Sequence, residues 1–246
     1  MKLYFELTFT CEPFQYAVSN EKLLQPVNRL RDLRVLISSD LSWSPYIIAI
    51  TEKAHKKAAR VLSVFYTRIP EVMLTLYKSM VRSLLEYCSP LWNPTKISDI
   101  QELESVQKAF TARISGMKDI HYWDRLKKLS LMSLQRRRER YIIMHLWKIL
   151  NSVTTNDLNI EFVSRPRLGN LAKVPMARRS VYTANQSIYE KSFAVMGPKL
   201  WNAMPYHMNL ISEIEQFKGQ LSKFLLAFLD SNSLLCWRTD SVGCVL

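Results

Sequence analysis

Between Ser44 and Leu150 apolar residues return every three or four positions, and that period commits the stretch to helices packed on a shared core. Ile47, Ile50, Ala54, Ala58, Val61 and Phe65 form one such face, opened by Ser44 as a cap with Pro45 in the first turn. Pro70 opens a second helix through Met73, Leu74, Tyr77, Val81 and Leu84, and Pro90 and Pro94 lie beyond its end near Tyr87. Ser98 with Gln101 makes a capping box for a third, through Ile100, Leu103, Val106, Phe110 and Ile114 to Gly116 as its C-cap. A short helix is predicted near Tyr122–Leu129. A longer one follows from Ser133 to Leu150, buried in its second half.

The flanks behave differently. Leu3, Phe5, Leu7 and Phe9 alternate, and Leu33 to Ser38 again reads as strand, so residues 1–43 are predicted to be a β piece too small to stand alone. After Leu150 the period lapses, and residues 151–185, rich in Asn, Thr, Pro and Arg, predict an exposed linker. Phe193, Met196, Leu200 and Trp201 predict a helix interrupted at Gly197-Pro198. Ser212 with Glu215 then caps a last helix carrying Phe217, Leu221, Phe224 and Phe228. The expected fold is mainly α: a helical bundle over 44–150, a small N-terminal β piece, a C-terminal helical pair over 186–230 and a frayed tail over 231–246.

Composition excludes several functions. The five glycines stand singly, so no Gly-rich phosphate cradle exists. The four cysteines and four histidines have no metal-ligand spacing, which predicts free thiols in a reducing compartment and no metal or other cofactor. No run of roughly 18 apolar residues suggests a membrane span, and Met1 to Phe9 reads as strand and not signal peptide. An intracellular protein, nuclear or cytoplasmic and without a membrane partner, is expected.

Charge is concentrated. The net charge is +13, and residues 44–150 carry 19 Lys and Arg against 9 Asp and Glu, which places +10 there. Such a field attracts a phosphate backbone, although an ordinary solvated helix face would look the same. Lys53, Lys56, Lys57 and Arg60 fall at i, i+3, i+4 and i+7, a basic stripe beside the buried face of the first long helix. Arg136, Arg137, Arg138 and Arg140 form a second cluster in the first turns of another helix, where the macrodipole disfavours cations. A phosphate partner would explain them, and acidic side chains could also offset the cost. Trp43, Tyr46 and Tyr66 are candidates to stack on bases, with core packing as the alternative.

The string Arg31-Asp32-Leu33-Arg34-Val35-Leu36-Ile37-Ser38-Ser39-Asp40-Leu41-Ser42-Trp43 resembles the K-D-L-G-V-x-I-S-x-D-L-x-W segment that follows the palm in reverse transcriptases of non-LTR retrotransposons, the jockey-like LINE elements. Four further stretches agree in order: Leu76 to Arg82 with Leu85 to Trp92, Leu103 to Lys108, Ser133 to Arg140, and Gly197-Pro198-Lys199-Leu200-Trp201-Asn202 with Pro205. The resemblance covers about residues 5–230. It implies that residues 1–43 correspond to the palm end and primer-grip hairpin, and 44–150 to a thumb lying along primer–template.

Nucleotidyl transfer requires carboxylates converging on two Mg²⁺ ions. The family takes them from a strand and an Asp-Asp hairpin upstream of the Leu33–Trp43 segment, and no two aspartates are adjacent in this chain. Glu102 with Glu104 and Glu213 with Glu215 are two-residue steps on helices and point to different faces. The expectation is a non-catalytic, sequence-independent nucleic-acid binder. A helical protein-interaction or self-association module, or a transposon remnant, is the alternative. Arg34 stands where the family pattern has Gly, and Ser83 replaces a helix-ending Pro, which should let the second helix run on more regularly.

Overall fold

A computed structural model describes residues 27–165, 169–175, 189 and 192–227. The alternating segment 3–9, the tail from Asn232 and most of 176–191 lie outside the described residues. The chain is mainly α with small β pieces, as its periodicity predicts. A hairpin, β1 (Arg29–Asp32) and β2 (Val35–Ser38), precedes α1 (Ser44–Val64). Next come α2 (Pro70–Leu76), a π-helical stretch (Tyr77–Arg82) and α3 (Ser83–Glu86), then α4 (Ile97–Thr111), α5 (Tyr122–Lys128) and α6 (Leu134–Leu150). A second hairpin, β3 (Phe162–Arg165) and β4 (Gly169–Ala172), leads to α7 (Phe193–Asn202), a 3₁₀ turn (Met208–Leu210) and α8 (Ile214–Ala227).

Two apolar cores hold these elements. Ile47, Ala54, Val61, Met73, Tyr77, Val81, Leu85, Trp92, Leu103, Phe110 and Leu126 are buried in the first, so α1, α2, α4 and α5 pack together with β2 through Val35. Ile143, Leu146, Trp147, Leu200, Trp201, Phe217 and Leu221 fill the second, which joins α6, α7 and α8. Helix α6 serves both. Its capped start faces the first core, and its apolar half past Tyr141 supplies the second.

Several local expectations give way to tertiary contacts. Residues 151–185 are not simply an exposed linker: β3 and β4 pair over 162–172, and Ile160 and Ala172 are buried in the second core. Asn202 holds β4 from α7, with its Oδ1 accepting from Ala172 N at 2.9 Å and its Nδ2 donating to Ala172 O at 2.8 Å. Trp201 Nε1 donates to Asn170 O at 2.7 Å. Gly197-Pro198 does not interrupt α7, because a side chain at Gly197 would meet Leu146 Cδ1 at 3.3 Å and its absence lets α7 press on α6. The second helix does not become more regular either. Thr75, Ser79 and Ser83 hydroxyls each donate to the carbonyl four residues back, at Glu71, Thr75 and Ser79, and such back-bonding loosens helices where the π stretch appears.

Candidate nucleic-acid interface

Helix α1 presents its two sequence-predicted faces side by side. Ile47, Ile50, Ala54, Ala58 and Val61 are buried, while Lys53, Lys56 and Arg60 are exposed and Lys57 is partly exposed. None of the four cations has a carboxylate within 4 Å among the described residues. With Leu84 they line a groove of about 330 Å³. That groove adjoins another of about 400 Å³, whose walls include Arg31, Arg34, Tyr46, Lys53, Leu84 and Tyr87. Shared Lys53 and Leu84 make the two one trough, running from the N-terminal hairpin across α1 beside α3.

Arg31 and Arg34 join this site only because the chain folds back on itself. The hairpin pairs Asp32 with Val35, leaving Leu33 and Arg34 as a two-residue turn with φ of 43° and 69°. Tyr87, at the end of α3, donates its hydroxyl to Leu33 O at 3.1 Å and ties the turn to the helices. Buried Val35 anchors the hairpin from below. In the sequence the hairpin shows as the short strand over Leu33–Ser38 and as the family pattern's Gly at position 34, the residue type that positive φ favours. Burial first, then the neighbouring Cys88 and Tyr87, push the phenol of Tyr46 in the groove wall up to about 12.

The second predicted patch is not a surface. Arg136 and Arg138 are 3% and 1% exposed, and Arg137 and Arg140 are half-buried. Acidic and neutral groups of the protein itself account for them. Arg136 Nη1 donates to Glu139 Oε2 at 2.8 Å, and Arg137 meets both oxygens of Glu86 and the Tyr141 hydroxyl, the latter at 2.8 Å. Arg138 Nη2 donates to Gln135 Oε1 at 3.0 Å, and Arg140 Nε donates to Ser222 Oγ at 3.3 Å. The start of α6 receives an anion after all, but an internal one. Glu104 Oε1 accepts from Gln135 N at 3.0 Å in the place a phosphate would take, beside the Ser133 cap. The expectation of a second phosphate-binding patch is therefore corrected: these arginines are turned to partners inside the protein, Glu139 for Arg136, Glu86 for Arg137, Gln135 for Arg138 and Ser222 for Arg140.

Their energetics are those of an interior. Glu104 is fully inside, held by Tyr122 OH at 2.5 Å, and Gln107 links that hydroxyl to Tyr77 and to Met132 O. Burial raises the Glu104 carboxyl above its ordinary value, opposed by the Tyr122 hydrogen bond, the Arg138 charge and the backbone N–H groups of α6. Burial also works against the Arg137 charge, but hydrogen bonds and attraction from Glu86 outweigh it and push the guanidinium up. Arg82 shares Glu86 Oε1 at 3.4 Å and is pushed down, first by burial and then by Arg137.

The aromatic candidates separate. Tyr46 is buried edge-on against Trp92, with ring centroids 5.3 Å apart, and Trp43 packs on the first core. Tyr66 alone of the three faces solvent, at 90% exposure. Glu102 and Glu104 diverge as predicted, Glu102 meeting Thr51 outside and Glu104 lying inside, and Glu215 engages Lys218 at 2.7 Å. Among the described residues no three His, Cys, Asp or Glu side chains are grouped to hold a metal ion, and no helix is long and apolar enough to cross a membrane.

No family model matches this chain, and no solved structure does. It is similar to an uncharacterized protein of Caenorhabditis elegans, 23% identical over 151 residues that span 60% of this chain and 73% of the relative.

Proposed function

We propose that the chain is a sequence-independent nucleic-acid-binding unit that holds a phosphate backbone along the trough between the N-terminal hairpin and α1, without itself catalysing polymerisation. The observation that carries this reading is the trough's charge: Arg31, Arg34, Lys53, Lys56, Lys57 and Arg60 line it and no carboxylate does. Lys53 to Arg60 spans about 10 Å of helix axis. One strand of a duplex presents about three phosphates over that length, at roughly 3.4 Å each. The motif resemblance supports the same reading, with the hairpin and α1–α6 in the position of a non-LTR reverse transcriptase's palm end and thumb. In such a polymerase this unit grips substrate while carboxylates elsewhere hold the metals.

The test is a salt titration of binding to a short duplex and to an RNA–DNA hybrid, read by fluorescence anisotropy. Each neutralised phosphate contributes about 0.9 to the slope of log K against log salt on duplex DNA, so six contacts give a slope near −5. Changing Lys53, Lys56, Lys57 and Arg60 together to Gln should flatten it by about 3 to 4. Circular dichroism should stay unchanged, because the stripe lies off the apolar face. An affinity and slope that survive the fourfold change would overturn the proposal.

A further inference from the structure

The turn between α1 and α2 is a built feature that the trough does not use. Arg68 spends its guanidinium on backbone: it donates to Leu62 O at 2.9 Å, a carbonyl that the end of α1 leaves open, and to Thr67 O at 3.0 Å and Phe65 O in the turn itself. Ser115 N donates to Arg68 O at 2.9 Å and fastens the turn to the segment after α4. A turn held this firmly would be expected to tuck its apolar side chains inward. Instead Val64, Phe65, Tyr66, Ile69 and Val72 are all exposed, with Tyr66 projecting furthest. Five exposed apolar side chains within nine residues of one turn mark a contact site.

Its position says what kind of contact. Val64 stands eleven residues after Lys53, three turns along, so it continues the line of Lys53, Lys57 and Arg60 on one face of α1. The cationic stripe runs into the apolar tip at Val64, about 6 Å of helix axis from Arg60, and Phe65 and Tyr66 follow it directly in the chain. An occupant must therefore offer repeating anionic groups and, next to them, a flat apolar face. A paired duplex hides its base faces in the stack. An unpaired strand offers both at once.

Building on the proposed nucleic-acid reading, we infer that the α1–α2 turn is a stacking platform for an unpaired nucleotide, whose base lies on the Tyr66 ring while its neighbouring phosphates sit on Arg60 and Lys57. The site thus takes single-stranded segments or the frayed end of a duplex, and it contacts bases without reading their edges.

Two oligonucleotides of equal length separate this inference from the reading beneath it: a thymidine homopolymer, and the same backbone with abasic sites, which keeps every phosphate and removes every base. The native chain should bind the homopolymer at least about fivefold more tightly, since stacking on one aromatic ring is worth that or more. Tyr66→Ala should bind both alike and Tyr66→Phe should keep the discrimination, with unchanged salt slopes because no cation is removed. Thermal melts should coincide, as Tyr66 is 90% exposed. Equal binding of the two oligonucleotides by the native chain, with a normal salt slope, overturns the platform and leaves the phosphate trough standing. Binding of neither overturns both. A third arm uses vesicles rich in anionic lipid. If Tyr66→Ala weakens vesicle binding and leaves base discrimination intact, the tip is a membrane contact and the inference is wrong.

Discussion

Replacing Arg34 by glycine separates what this residue does for the fold from what it does for the trough. Leu33 and Arg34 both hold positive φ, at 43° and 69°, in a two-residue turn whose strands pair Asp32 with Val35. That geometry matches the right-handed twist of a hairpin but suits Asn-Gly or Gly-Gly. An L-residue held left-handed costs roughly 1–2 kcal/mol. Glycine removes this cost but gives back about 0.5–1 kcal/mol through the greater freedom of its unfolded chain. The net expectation is a stabilisation of about 0.5–1 kcal/mol. For a chain of this size each kcal/mol moves Tm by about 2–4 °C, so the melt should rise by about 1–4 °C. The Arg34 side chain is exposed, so little packing is lost. Binding should move the other way, with the salt slope flattened by about 0.9 for one lost phosphate contact. Arg34→Ala is the control: it loses the same contact while the backbone stays strained, so its Tm should not rise. Calorimetry and anisotropy on the two variants decide the matter. Coincident melting of the Gly and Ala variants, or a Gly variant that melts lower, would refute the strain argument.

Two further outcomes are expected. Burial raises the Glu104 carboxyl, so the folded state keeps a proton that the unfolded chain has released above the ordinary value of 4.5; stability from this group is full below that value and declines as pH rises through the raised one. Denaturant melts of Glu104→Gln against the native chain should therefore shift steadily in favour of the Gln chain as pH rises from 4.5, and a difference independent of pH would exclude the raised carboxyl. Primer extension with Mg²⁺ or Mn²⁺ should give no product above a mock purification, and extension that persists through purification to homogeneity would contradict the proposal that the chain does not itself catalyse polymerisation.

Helix existence was legible where burial and period agree, and helix ends where a cap has no competing partner. Ser133 caps α6 as read, accepting from Arg136 N at 3.2 Å. Ser44 does not cap α1, because its hydroxyl donates instead to Asp99 Oδ2 at 2.9 Å across the bundle. Ser98 lies inside α4, which starts at Ile97, and Gly116 turns the chain five residues beyond the helix end at φ 71°. The hairpin over 162–172 was hidden for a different reason. Its strands are four residues long, and what fixes them is Trp201 and Asn202 reaching from α7. The Gly197–Asn202 string thus reads as a packing signature: Gly197 for close approach to Leu146, Trp201 for the core, Asn202 for a strand it holds by its backbone.

The site divides along the same line. Lys53, Lys56, Lys57 and Arg60 were legible because a helical stripe beside an apolar face must point outward once that face is buried. The Arg136–Arg140 run has no such constraint, since α6 is buried almost all round and its charges must find partners wherever the fold brings them. A cation in the first turn of a helix is unfavourable by about 0.3–1 kcal/mol when exposed. That cost argued for an outside anion, yet Glu104 at the helix start and Glu86 and Glu139 beside it supply three inside. Partners 31 and 51 residues away in sequence have no local trace, which is why four basic residues produced an open surface on α1 and four an interior network on α6. Arg31 and Arg34 reach the trough from a hairpin that carries three arginines and one aspartate over residues 29–38. A surface field is therefore set by where carboxylates are withheld as much as by where lysines are placed. On α1 no carboxylate lies within 4 Å of the four cations among the described residues, although Glu52 stands exposed beside Lys53, and that open stripe, not the net +13, is what a phosphate backbone would meet.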